Sequence, residues 1–173
     1  MLSKYTYKVV GYGYVSRLTS DEVIDWALDM LDLNYIDNSL YILASISKGS
    51  PFYEVEPYLA KAIENLGLKR RENNEAILSY SRFYVNEIVN GNNIRLNIKT
   101  LSDITIHEGY IDELMVFYNL NFSWLDLEYD PNHQSSHYYE KVVNLSNIEK
   151  CCIMESKKWL ELYLKSYVQN DCK

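Results

Sequence analysis

The chain has 173 residues, 47% of them hydrophobic and 24% charged, and a net charge of −7. A chain of that length buries about 70% of its unfolded surface, so it needs neither disulfide nor metal to hold it, and it fits a single domain spanning residues 1–173. The composition excludes a disordered chain, no run nears the ~18 apolar residues of a membrane span, and the acidic balance disfavours nucleic acid as a partner.

The first 17 residues are rich in tyrosine, with Tyr5, Tyr7 and Val9 on one alternating phase. That pattern predicts an extended segment or a short N-terminal β hairpin. A first helix is signed by Thr19-Ser20-Asp21-Glu22, which fits a capping box, with Val23, Ile24, Ala27, Met30 and Leu31 recurring behind it at helical spacing. A second helix is expected from about Asn38 to Lys48, with Leu40, Leu43, Ala44 and Ser47 on one face and Gly49 as its left-handed stop. A third starts near Ser50-Pro51, carries Phe52, Val55, Leu59, Ala62, Ile63 and Leu66 inward, and either kinks or begins at Pro57. Gly67-Leu68 reads as a Schellman ending for it.

A fourth helix is expected from Asn73 or Asn74 to Gly91, with Ile77, Leu78, Ser81, Tyr84, Val85 and Ile88 inside. A fifth helix is expected from near Asn93 to its end at Gly109, with a strand as the alternative, because Ile94, Leu96 and Ile98 alternate and Ile104-Thr105-Ile106 is β-branched. A short helix follows from Ile111 to about Leu120, then a largely irregular stretch from Asn121 to Leu145. A last helix runs from about Asn147 to Val168, with Ile148, Cys152, Trp159, Leu162 and Tyr163 inward. Gly49 to Gly91 and Gly67 to Gly109 repeat the same 42-residue spacing, close to the period of two-helix repeats. The expected class is all-α: stacked antiparallel helical hairpins, HEAT-like or an irregular bundle, with room for the short N-terminal β element.

Motifs that carry chemistry are sparse. Gly11-Tyr12-Gly13-Tyr14-Val15-Ser16 holds two glycines of a nucleotide fingerprint, without the third glycine or a following βαβ unit. His133 and His137 are four apart, but Asp130-Pro131-Asn132 and Gln134-Ser135-Ser136 read as loop, so no metal is expected. Cys151, Cys152 and Cys172 are odd in number and form no disulfide framework, which suits a reducing cytoplasm. The opening Met-Leu-Ser-Lys-Tyr-Thr-Tyr-Lys lacks a signal peptide's apolar stretch, which points the same way. Cys152 reads as a small buried hydrophobe, and Glu54 and Glu56, two apart, do not share a helix face. No cofactor and no catalytic residue is assigned.

Charge placement is more informative. Residues 18–47 contain Asp21, Glu22, Asp25, Asp29, Asp32 and Asp37 and no Lys or Arg. Residues 100–140 contain Asp103, Glu108, Asp112, Glu113, Asp126, Glu128, Asp130 and Glu140, again with no Lys or Arg. The second stretch interleaves its acids with Tyr110, Phe117, Tyr118, Phe122, Trp124, Tyr129, Tyr138 and Tyr139. Tyr and Trp dominate binding hot spots, and surrounding carboxylates steer a cationic protein. The expected partner-binding residues are Asp25, Asp29 and Asp32 in the first stretch and Asp112, Glu113, Asp126, Glu128, Tyr129, Asp130, Tyr138 and Tyr139 in the second, with Phe117, Phe122 and Trp124 assigned at least in part to the core.

Four segments carry a resemblance: Leu40-Tyr41-Ile42-Leu43-Ala44-Ser45, Glu54-Val55-Glu56-Pro57-Tyr58-Leu59, Trp124 to Tyr129, and Lys157-Lys158-Trp159-Leu160. Across residues 19–165 the chain resembles small helical bacterial immunity proteins that accompany polymorphic and contact-dependent growth inhibition toxins. The resemblance implies a non-enzymatic inhibitor that binds a cognate cationic toxin domain, often a nuclease, and occludes its active surface. A helical-repeat adaptor that scaffolds other proteins, and an enzyme whose site is assembled from distant residues, are the alternatives.

Overall fold

The computed structural model describes residues 2–130, 135–136, 138–139 and 142–168, with side chains described as far as Tyr163. Its fold is all-α: no strand forms among these residues, and the one β contact is an isolated antiparallel bridge between Ser136 and Val143. No described helix is long and apolar enough to cross a membrane. The chain divides into two compact units, Met1–Phe83 and Tyr84–Lys173, with the boundary inside one helix.

The first unit contains α1 (Thr6–Val9), α2 (Ser20–Asp32), α3 (Asn38–Ser45), α4 (Phe52–Asn65) and the first part of α5 (Asn73–Val89). The capping box of α2 forms as expected: Glu22 N–H donates to the Thr19 hydroxyl and Thr19 N–H to the Glu22 carboxylate. Val23, Ile24, Ala27 and Met30 are buried as their spacing predicts, together with Trp26. The Trp26 indole N–H donates to the Thr6 hydroxyl at 3.1 Å. Asp37 caps α3 by accepting from Ser39 and Leu40 N–H, and it also accepts from the Asn65 amide at the far end of α4. That contact joins the start of α3 to the end of α4, so the two helices form an antiparallel hairpin.

The expected N-terminal β element is not there. Residues 6–9 form a single helical turn, which is too short to persist alone and is held by its neighbours. The Tyr7 carbonyl accepts from the Ser79 hydroxyl, and Tyr5 stacks on Phe83 at 5.2 Å. Alternation of Tyr5, Tyr7 and Val9 is therefore incidental. The second helix is also shorter than its pattern suggested. It ends at Ser45 with Ile46 extended, so Gly49, though left-handed at φ 81°, turns the connection rather than stopping the helix. Pro57 lies inside a continuous α4, whose end is the expected Schellman motif: Leu68 N–H donates to Ile63 and Gly67 N–H to Glu64, with Gly67 at φ 63°. The Gly11 segment packs closely on α5. A Cβ there would meet the Ala76 carbonyl oxygen at 3.0 Å, so close approach to α5 requires glycine.

The second unit contains the rest of α5, α6 (Ile94–His107), a 3₁₀ turn (Asp112–Leu114), α7 (Met115–Tyr129) and α8 (Ile148–Val168). The helix–strand competition at residues 94–107 resolves to helix, because Ile98, Leu101, Ile104 and Thr105 form the buried stripe while Leu96 is exposed. Gly91 and Gly109 end α5 and α6 with the same Schellman bonds as Gly67. Helices α4 and α6 are both 14 residues long and start 42 residues apart. The 42-residue spacing thus joins Gly67 to Gly109 in one role, whereas Gly49 and Gly91 play different ones.

The stretch expected to be irregular from Asn121 is the main correction. Helix α7 continues to Tyr129. Its buried residues Phe117, Leu120, Asn121, Ser123, Trp124 and Leu127 pack toward α6 and α8, and α6 and α7 run antiparallel. Asn121 donates to the Ser102 hydroxyl near mid-helix, and Arg95 at the start of α6 reaches Glu128 at the end of α7. Of the residues expected to face inward on α8, Ile148, Cys152 and Trp159 are buried, but Leu162 is exposed.

Candidate protein-binding groove

The first acid-only stretch is largely consumed inside its own unit. Asp21 accepts from Gly49 N–H at 2.7 Å, Asp25 pairs with Lys48 at 2.6 Å, and Asp29 accepts from the Ser3 hydroxyl at 2.6 Å. Asp25 raises the pKa of exposed Lys48, chiefly through their hydrogen bond. Glu22 receives Lys8, which is buried against the Phe83 ring, as well as the Tyr80 hydroxyl. Of the three binding residues expected on α2, Asp25 and Asp29 are therefore internal fasteners. Asp32 is exposed and has no partner among the described residues.

The second stretch separates into two places. Asp112 and Glu113 lie on the 3₁₀ turn before α7, and the Glu113 carbonyl accepts from the Trp159 indole at 2.8 Å. About twenty ångströms of helix, at 1.5 Å per residue, separates them from Asp126. At the other end, Phe122, Leu125, Asp126, Glu128, Tyr129 and Tyr138 line one open groove of about 500 Å³. Four of the expected binding residues, Asp126, Glu128, Tyr129 and Tyr138, are thus brought together. Asp130 caps the helix beside them, half-buried, and Glu140 lies outside the described residues.

The groove follows from the outer stripe of α7. Phe122, Leu125, Asp126 and Tyr129 stand at i, i+3, i+4 and i+7, so they share a face. Tyr129 is 93% exposed, Tyr138 58% and Leu125 42%. Phe122 is half-buried between Tyr118, at 4.6 Å, and Tyr138, at 6.0 Å. Tyr139, expected as a contact, is instead buried at 6%. Its N–H donates to the Ser123 hydroxyl and its own hydroxyl to Glu155, which Lys158 also engages. Tyr138 thus faces out while its neighbour Tyr139 goes in.

The two groove carboxylates differ. Arg95 donates through Nε and Nη2 to the two oxygens of Glu128, both at 3.1 Å, and through Nη1 to the Asn121 amide oxygen at 2.7 Å. Its guanidinium also lies 5.3 Å from the Trp124 ring centre. Asp126 has no such partner among the described residues. Sequence reasoning missed Arg95 and Leu125. The signal for Arg95 was an aromatic residue followed four positions later by an acid, Trp124 and Glu128, which only a helix brings together.

Elsewhere the chemistry is weak. Burial pushes the Cys152 thiol up to about 12, so it stays protonated and poorly nucleophilic near neutral pH. Among the described residues no three His, Cys, Asp or Glu side chains are grouped as metal ligands, and His133, His137 and Cys172 lie outside them. A second groove of about 590 Å³, lined by Gly91, Asn93, Ile94, Arg95, Leu96, Lys99 and Glu149, opens at the start of α6. No protein-family model, curated protein or solved structure matches the chain.

Proposed function

We propose that the protein acts by binding a cationic protein through the α7 groove, and that it does so in the cytoplasm as an immunity protein that occludes the active surface of a toxin domain. The observation that carries this reading is the groove itself. It presents exposed Tyr129, Tyr138 and Leu125 around Asp126, with no Lys or Arg lining it among the described residues. Exposed aromatic rings supply contact area at low entropic cost, and an acidic surround speeds encounter with a positive partner. The resemblance to small bacterial immunity proteins supplies the biological setting.

The test is a co-expression rescue against a toxin domain encoded by an adjoining gene, paired with binding kinetics; the lack of any such gene would count against the immunity reading. Association should slow steeply between 0.1 M and 1 M salt, as the Debye length falls from ~10 to ~3 Å. Tyr129→Ala should chiefly speed dissociation, and Asp126→Lys should chiefly slow association. Full protection and unchanged kinetics with both variants would remove the groove from the interface.

A further inference from the structure

Helix α7 contains the same two-residue unit twice. Trp124 and Glu128 are an aromatic residue and an acid four positions apart, and together they hold Arg95: the carboxylate takes the guanidinium in a two-pronged bond while the ring lies beside it. Phe122 and Asp126 have the same spacing and the same chemistry, two residues earlier. Two residues turn a helix by about 200°, so the second unit faces away from α6 and into the groove. There Tyr129 and Tyr138 add two more rings. The chain uses Arg–aromatic contacts repeatedly elsewhere, with Arg70 4.0 Å from the Tyr12 ring centre and Arg82 4.3 Å from that of Tyr7.

We propose that Phe122, Asp126, Tyr129 and Tyr138 form a binding site for one arginine side chain of the partner protein. Asp126 takes the guanidinium and the rings pack against its faces, as Glu128 and Trp124 do for Arg95. A planar guanidinium satisfies both demands at once, whereas an ammonium offers neither the fork nor the flat face. Glu128 contributes little to this recognition, because both its oxygens already serve Arg95. This inference rests on the groove being the interface and adds which chemistry it reads.

The experiment selects a library of random 12-residue peptides on the immobilised full chain and measures the leading peptides by titration calorimetry. Peptides that compete with one another should share an arginine. Replacing that arginine with lysine or with neutral citrulline should weaken binding about tenfold, in line with a lost charge-assisted hydrogen bond. Asp126→Asn should weaken the arginine peptide about as much and leave the citrulline peptide unchanged, while Glu128→Gln should weaken the arginine peptide by less than Asp126→Asn does. If Tyr129→Ala abolishes binding but the citrulline swap or Asp126→Asn does not weaken it, the groove remains the interface and the arginine site is refuted. Failure to select any peptide sensitive to Tyr129→Ala or Asp126→Asn refutes the groove reading and the arginine site with it.

Discussion

The two acid-only stretches look alike in sequence but are placed differently in the fold. Around α2, Asp21, Glu22, Asp25, Asp29 and Asp37 are tied to a backbone N–H, to Lys8, to Lys48, to Ser3 and to the start of α3. At the end of α7, Glu128 is tied to Arg95 while Asp126 faces a groove of exposed rings. A run of carboxylates is therefore not a binding surface until the partner of each is known. The run ends where a cation begins, and that cation is often the partner: Lys48 and Lys99, which flank the two stretches, pair with Asp25 and Asp103.

The sharpest way to break this contrast is to remove the most deeply used α2 acid. Glu22→Gln takes the carboxylate from Lys8, which is only 6% exposed, and weakens the capping box. It should cost about 3 kcal/mol, the usual loss when one partner of a buried pair is removed, read from urea denaturation. Stability within 0.5 kcal/mol of the parent would show that Lys8 is held without the Glu22 carboxylate. Gly67→Ala should cost about 1–2 kcal/mol, because its φ of 63° is strained for any residue with a Cβ. A thermal scan with no loss would mean that the turn relaxes without the Schellman bonds.

Thr19→Ala should cost about 1 kcal/mol, the worth of an N-cap hydrogen bond. By contrast, Asp126→Asn and Tyr129→Ala, at an exposed groove, should leave stability within about 0.5 kcal/mol of the parent while changing binding. A marked loss from either would make the groove part of the scaffold. The smallest effect is expected from Cys152. Its folded pKa of about 12 lies above the ordinary 9.0, so the native state holds the proton more tightly than the unfolded chain does. The resulting stabilisation is complete below about pH 9 and fades as pH rises toward 12. At pH 8 iodoacetamide should therefore label Cys151 well before Cys152, and equal labelling would contradict the burial.

What the sequence determined by itself is local. The capping box at Thr19 and the stops at Gly67, Gly91 and Gly109 were legible because each is built from hydrogen bonds spanning three to five residues. The inward faces of α2, α4 and α5 were legible because their apolar residues keep a helical period. Helix α7 was not, because Phe117, Leu120, Trp124 and Leu127 on its inner face are matched by Phe122, Leu125 and Tyr129 on its outer face, which erases the stripe. Tertiary structure alone decided that Tyr139 is buried, that Asp29 is spent on Ser3, and that Arg95 claims Glu128 and leaves Asp126 to the groove. Those partners lie 16, 26 and 33 residues apart along the chain, and no local pattern records a contact that only packing creates.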